Sequence, residues 1–167
     1  MRTSPWVAQT LVAASVAFLA FACWSLWGVQ RGEAQDLAAD RDRALVAAKQ
    51  RIASLNSMDA RQVDAGLKRW EDASTGALQQ ELGRTRAASK NKIVKAGTSA
   101  EGSVLEAALL SLDARAGSAR AIASVKIQIT GPDGAATVQR KRYEAGLART
   151  SSGWKLTSLT ALPVDAR

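Results

Sequence analysis

Between Gly83 and Ala100 the chain carries Arg84, Arg86, Lys90, Lys92 and Lys95 and no acid. Guanidinium and ammonium groups at such spacing can make charge-assisted hydrogen bonds to phosphate or to a lipid headgroup. The same spacing also fits the solvated back of a helix and its exit strand, with no ligand at all. A second basic cluster, Arg140, Lys141 and Arg142, follows further on. Covalent chemistry has less to work with. The chain has no histidine, which removes the usual general base near neutral pH, the Ser-His-Asp arrangement and most zinc sites. Its single cysteine, Cys23, lies in an apolar stretch, so no disulfide forms within the chain. No glycine-rich phosphate loop follows a strand. Glu71 and Asp72 are sequence neighbours and would point about 100° apart on a helix, so they form no dyad. Asp59 and Asp64 read as a helix cap and a surface charge. No residue is assigned a catalytic, cofactor-binding or metal-binding role, and an enzyme is not expected.

The elements that must position these cations begin with a membrane segment. Val7 to Val29 runs 23 residues without a charge or a proline. As a helix it is roughly 34 Å long, enough for a hydrocarbon core of about 30 Å. Trp6 marks one edge, and Trp24 and Trp27 the other, as amphipathic rings do at membrane interfaces. A cleaved signal peptide would have a shorter apolar region and a basic start, whereas here only Arg2 precedes it. Gly32-Glu33-Ala34 is a weak cleavage site, and Ala20-Phe21-Ala22-Cys23 matches a lipoprotein site poorly. One transmembrane helix, residues 7–29, is predicted after a short tail, residues 1–6. Arg31, Arg41 and Arg43 follow the helix and only Arg2 precedes it, so the count of Lys and Arg narrowly favours a cytoplasmic domain. Gly28 and Gly32, and Ala13 and Ala17, have the small-xxx-small spacing of packed membrane helices, which leaves a homo-oligomer open.

Beyond the anchor about 135 residues remain, one domain's worth. The formal net charge of +8 is segregated: Arg31 to Gly83 sums to −1 and Arg84 to Arg167 to +8. A basic half could meet anionic lipid or an acidic protein. The aromatic residues of the whole part beyond the anchor are only Trp70, Tyr143 and Trp154, too few for single-stranded nucleic acid to stack on, so no nucleic acid partner is expected.

Residues 30–56 read as a helical stalk or first helix, with Leu37, Ala44, Leu45, Ala48, Ile52 and Leu55 on one face. A second helix starts at Ser57 or Asp59, carries Val63, Leu67 and Trp70 inward, and is broken between Glu71 and Gly76. A third covers Ala77 to Ser89. Val104 to Leu112 fits helix or strand, because alanine favours the former. Ala119 to Thr130 alternates strictly and is a strand. Gly131-Pro132-Asp133-Gly134 turns the chain, Thr137 to Leu147 returns with the second basic cluster at its centre, and Ser151-Ser152-Gly153 turns again before a strand from Trp154 to Leu162. Helices first and strands after predict an α+β domain, residues 57–167, in which helices pack on one face of an antiparallel meander. Trp70 and Trp154 are expected to bury much of their rings, in one core.

The order of short motifs carries a resemblance. An N-terminal span is followed by Arg43-Ala44-Leu45-Val46-Ala47-Ala48, then Val63-Asp64-Ala65-Gly66-Leu67, a helix ending in Thr75-Gly76, and Ala107 to Asp113 leading into the strand from Ala119. Arg142-Tyr143-Glu144-Ala145-Gly146-Leu147-Ala148-Arg149 and Gly153-Trp154-Lys155-Leu156 close the chain. This resembles the actinobacterial Mce-associated membrane proteins. The resemblance implies a type II anchor with the domain outside the cytoplasmic membrane, against the charge count. It also implies a cone-like helix-plus-curved-sheet fold, similar to the nuclear transport factor 2 superfamily and to assembly factors of type IV secretion. It implies an accessory role in Mce lipid or sterol importers, without catalysis.

Three functions compete: a non-enzymatic accessory or scaffold subunit of an envelope transport complex, a membrane-tethered lipid-binding module, and an enzyme using a cone-shaped pocket. The missing histidine counts against the third. The expected partners are Mce complex subunits or related membrane proteins, and a lipid ligand is open. Full-length protein is expected in the membrane fraction, resistant to carbonate extraction, with residues 33–167 soluble when made alone. Release of a shortened chain into the medium would identify the stretch as a signal peptide. A reporter fused after Arg167 should be active outside the cytoplasm; activity only inside would restore the charge-count orientation.

Overall fold

The computed structural model describes residues 36–163. The expected membrane span lies outside the described residues, among which no helix is long and apolar enough to cross a membrane. The chain divides after Ala39 into an N-terminal unit, described for residues 36–39, which are helical, and a compact unit from Asp40 onward. The compact unit holds helix α1 (40–55), then α2 (Val63–Ala73), α3 (Gly76–Ala96) and four strands, β1 (Ser99–Asp113), β2 (Ser118–Thr130), β3 (Ala136–Thr150) and β4 (Gly153–Leu162). The strands are antiparallel neighbours in the order β1-β2-β3-β4. Three helices pack on a curved antiparallel sheet, an α+β fold.

Each element follows from its residues. On β2, Ala119, Ala121, Ala123, Val125 and Ile127 are buried and the residues between them face outward. On β3, Tyr143, Ala145 and Leu147 continue the same inner face. Against it lie Ala44, Ala48 and Ile52, spaced i, i+4, i+8 on α1 and fully buried. This part of the helix is packed into the domain core rather than standing free as a stalk. Trp154 and Leu156 complete the core from β4. Arg149 closes one end of it. Its guanidinium donates to Asp40 Oδ2 at 3.0 Å and to the Ala114 carbonyl, and lies 5.8 Å from the Trp154 ring centre.

Several sequence expectations are refined. The ambiguous stretch after Gly102 is strand, because pairing with β2 over its whole length outweighs the helix preference of its alanines. The second helix starts at Val63, not at Ser57 or Asp59. The intervening loop is stitched onto β1 instead: Met58 and Ala100 exchange backbone hydrogen bonds of 2.8 Å each, and Gly102 N donates to Ser57 Oγ at 2.9 Å. The third helix does not stop at Ser89 but runs to Ala96. Nothing breaks it before Gly97, whose left-handed φ of 59° suits a glycine cap. Trp154 is 4% exposed in the main core, whereas Trp70 is half-buried. Trp70 packs on a separate cluster of Met58, Val63 and Leu67, so the two rings do not share a core. The reason is that α2 and the end of α3 form a small layer of their own.

At Gly102, β1 lies close against the C-terminal end of α1. A Cβ there would lie 2.6 Å from Asn56 Cβ and 3.0 and 3.1 Å from the carbonyl oxygens of Asn56 and Ala53. Two of these three neighbours are backbone and cannot rotate away. Gly102→Ala is therefore expected to destabilise by about 1–3 kcal/mol, several degrees in Tm. Gly83→Ala, in the interior of α3 with nothing within 4 Å of the added Cβ, is expected to stabilise by about 0.5–1 kcal/mol. Thermal unfolding of the two variants checks the pair, and equal shifts would refute the close approach.

Candidate binding surface and groove

The five cations of α3 have different surroundings. Arg86 Nη1 donates to Glu71 Oε1 at 2.7 Å, and Arg86 Nη2 lies 3.9 Å from Asp64 Oδ1. Lys90 Nζ donates to Asp64 Oδ2 at 2.7 Å. Both acids come from α2, so these two cations clamp α3 to α2 and do not offer an open anion site. They are one helical turn apart and share a face. Arg84 is exposed and stays on its own helix, 3.8 Å from Glu81 Oε2. Lys92 and Lys95 are exposed and make no salt bridge among the described residues. The hydrogen bond from Lys90 holds the Asp64 carboxyl below its ordinary value, reinforced by the charges of Lys90 and Arg86 against a desolvation that raises it.

The alternation of β3 divides the second cluster between the two faces of the sheet. Arg140 and Arg142 point outward, and Lys141 shares the inner face with Tyr143. All three are exposed and none makes a salt bridge among the described residues. Across the hairpin Arg140 pairs with Lys126, whose outward position puts three cations, Lys126, Arg140 and Arg142, on one patch. Like charges directly opposite one another on a sheet are destabilising, so the patch carries a cost that stability does not explain. Lys126 was missed in the sequence reading. The signal for it was present: the Gly131-Pro132-Asp133-Gly134 turn sets a register in which residue 126 faces residue 140. Further along the same face Arg120 pairs with Glu144 and is neutralised.

Lys92 and Lys141, far apart in sequence, meet at one open groove of about 440 Å³. Its walls include Trp70, Ile93, Ile127 and Tyr143, and no carboxylate lines it. Burial pushes the Tyr143 phenol up from its ordinary pKa, and its hydroxyl makes no side-chain hydrogen bond among the described residues. Trp70 belongs to this groove, while Trp154 lines a different depression with Arg43, Val46 and Ala47. Among the described residues no three side chains of His, Cys, Asp or Glu are grouped to hold a metal ion. The arrangement offers cationic and hydroxyl donors beside apolar walls. Such a lining suits anions and apolar groups.

The α2–α3 clamp gives a pH test. Asp64 has a folded pKa below its unfolded one, so its contribution is present above the ordinary carboxylate range and is lost as pH falls through that range toward the folded value. Asp64→Asn should flatten the acid limb of a Tm-against-pH profile relative to wild type. Arg86→Glu would set like charges beside Glu71 and Asp64 and should lower Tm by several degrees at pH 7, whereas Lys95→Glu, which reverses only a favourable charge in the last turn of α3, should cost no more than about 1 kcal/mol. Equal effects of the last two would show that Arg86 is only a solvated cation.

The model of a family described as "Uncharacterized protein Rv1363c/MT1408-like" matches residues 5–158. No curated protein matches the sequence significantly. Among solved structures, an IcmL-like type IV secretion system protein from Legionella pneumophila is similar with a TM-score of 0.61 at 17% identity, over 76% of this chain and 95% of that one. The periplasmic domain of DotI gives 0.58 at 13% identity, over 72% and 93%. CagV, a VirB8 homolog of the type IV secretion system from Helicobacter pylori, gives 0.56 at 11% identity, over 72% and 96%. At these identities the likeness is one of fold.

Proposed function

We propose that this chain, which belongs to the Rv1363c/MT1408-like family, is a non-enzymatic accessory or scaffold subunit of an Mce-type lipid or sterol import complex in the cell envelope. The observation that carries the reading is the fold, a helix-covered antiparallel sheet like those of DotI and CagV. The first of these is named as a periplasmic domain and the second as a component of a type IV secretion system. The motif resemblance to Mce-associated proteins supplies the particular complex. In this reading residues 7–29 anchor the chain in the cytoplasmic membrane, and the compact unit from Asp40 onward, which includes α1, lies outside the cytoplasm.

The cationic patch of Lys126, Arg140 and Arg142 is the proposed contact with an acidic face of a transporter subunit. Arg84 and Lys95 are exposed and are assigned the same role. The anchor confines the domain near its partner and raises the effective concentration, so contacts that are weak alone become sufficient. Solvent-exposed charge pairs are screened beyond roughly 8 Å at physiological salt, so the contact should be salt-sensitive.

The test is affinity purification of tagged full-length protein from native membranes. Mce-type subunits should co-purify, and the double variant Arg140→Glu, Arg142→Glu should lose them, more completely at low salt than a neutral Arg140→Gln, Arg142→Gln variant. Retention of the same subunits by the charge-reversed protein at every salt concentration would reduce the patch to a solvated face. Recovery of secretion subunits in place of Mce-type ones would favour an assembly factor of another envelope machine, the second reading that the fold supports.

A further inference from the structure

The main core and the smaller cluster of Met58, Val63 and Leu67 are separate, and the groove lies where they fail to meet. One wall is Ile127 and Tyr143 from the main core, and the other is Trp70 and Ile93 from the small layer. The gap follows from α3, a helix of 21 residues with no fully buried side chain. Val94, beside Ile93, is 58% exposed. An apolar gap of this size, unfilled by the chain's own side chains, is a place for an apolar ligand.

Polar groups fix what kind. Lys92 comes from α3 and Lys141 from β3, so two cationic side chains line the groove from different elements. No carboxylate lines the groove. Neither lysine is in a salt bridge among the described residues. The Trp70 indole N–H is already committed to the Ser57 carbonyl at 2.9 Å, so the ring offers apolar surface only. The Tyr143 hydroxyl makes no side-chain hydrogen bond among the described residues, so it stands as a neutral donor beside the lysines. An occupant therefore needs one apolar body and one anionic end.

We propose that the groove between α3 and the inner face of β3 binds one long-chain fatty acid as its carboxylate, with the head between Lys92 and Lys141 and the chain against Trp70, Ile93 and Ile127. The volume of about 440 Å³ suits one small amphiphile, since ligand clefts run from about 300 to 1,000 Å³. A diacyl lipid brings a second chain for which a groove of this volume has no room. An uncharged sterol leaves both lysines without a partner. Lysine stems also lie along apolar surface with their heads in water, and the test separates that arrangement from a ligand site. The inference is independent of the partner complex proposed above.

The experiment uses full-length protein in nanodiscs of zwitterionic lipid, with empty nanodiscs as the blank. Radiolabelled palmitate should bind saturably, one per chain, and hexadecanol should compete at least about tenfold less well, the loss of one charge-dependent contact. The double variant Lys92→Met, Lys141→Met keeps the apolar stems and should retain the wild-type Tm while weakening palmitate binding by about tenfold or more. Ile93→Trp should fill the groove and abolish binding, with circular dichroism as the check on its fold. No saturable binding above the blank overturns the proposal, as does equal competition by hexadecanol or wild-type affinity in the lysine variant. Hexadecyl phosphate binding where palmitate does not also overturns it, in favour of a phosphate amphiphile.

Discussion

The close approach of α1 to the sheet governs how this domain is built. Ala44 and Ala48 on the helix face Ala119, Ala121, Ala123 and Ala145 on the strands, all at least nine-tenths buried. Alanine buries little area, so each contact contributes less hydrophobic free energy than a leucine would. What the small side chains allow is a short distance between helix and sheet backbones, with dense dispersion contacts and no room for added methylenes. Gly102 extends the same constraint to the start of β1, where even one methyl group meets the backbone at the C-terminal end of the helix. The larger side chains, Ile52, Val125, Trp154 and Leu156, fill the space that the alanines leave.

The layer formed by α2 and α3 is held differently. Its apolar cluster is small, and the helices are joined on the outside by Asp64 and Glu71 with Arg86 and Lys90. Exposed charge pairs of this kind are individually weak and screened by salt. The layer is therefore anchored to the sheet chiefly through backbone and buried contacts: Thr75 N donates to the Leu156 carbonyl at 2.8 Å, and Met58 bridges to Ala100. One layer is fixed by packing and the other by its edges. The groove between them is the consequence, and the lysines that reach it are those the clamp does not use.

Much of the fold was legible because β2 alternates so regularly. Once Ala119 to Ile129 is a strand, the two turns that follow dictate an antiparallel meander, and the helices before it have one sheet face to cover. β1 was harder to read because its inner residues are alanine and leucine, which serve helix and strand alike. The length of α3 was underestimated because its second half lacks an apolar stripe, and periodicity registers burial rather than helicity. The basic run was visible as composition. Its division into clamping and free cations was not, because Asp64 and Glu71 reach it only through tertiary packing. The i, i+4 relation of Arg86 and Lys90 was the one local sign that they act together. Likewise Lys92 and Lys141 have no sequence relation, and only the packing of α3 over β3 brings them to one groove.

β1 carries two register shifts, between Val104 and Glu106 and between Leu109 and Ser111. They leave Leu105 and Leu110 about half exposed at 49% and 53%. An edge strand of 15 residues would otherwise offer a long row of unpaired backbone donors and acceptors. Each shift breaks the ladder's rhythm and turns the strand. A foreign strand could stay in step with β1 only over short lengths before meeting a misplaced carbonyl. Lateral growth of the sheet into fibres or strand-swapped chains is thereby disfavoured.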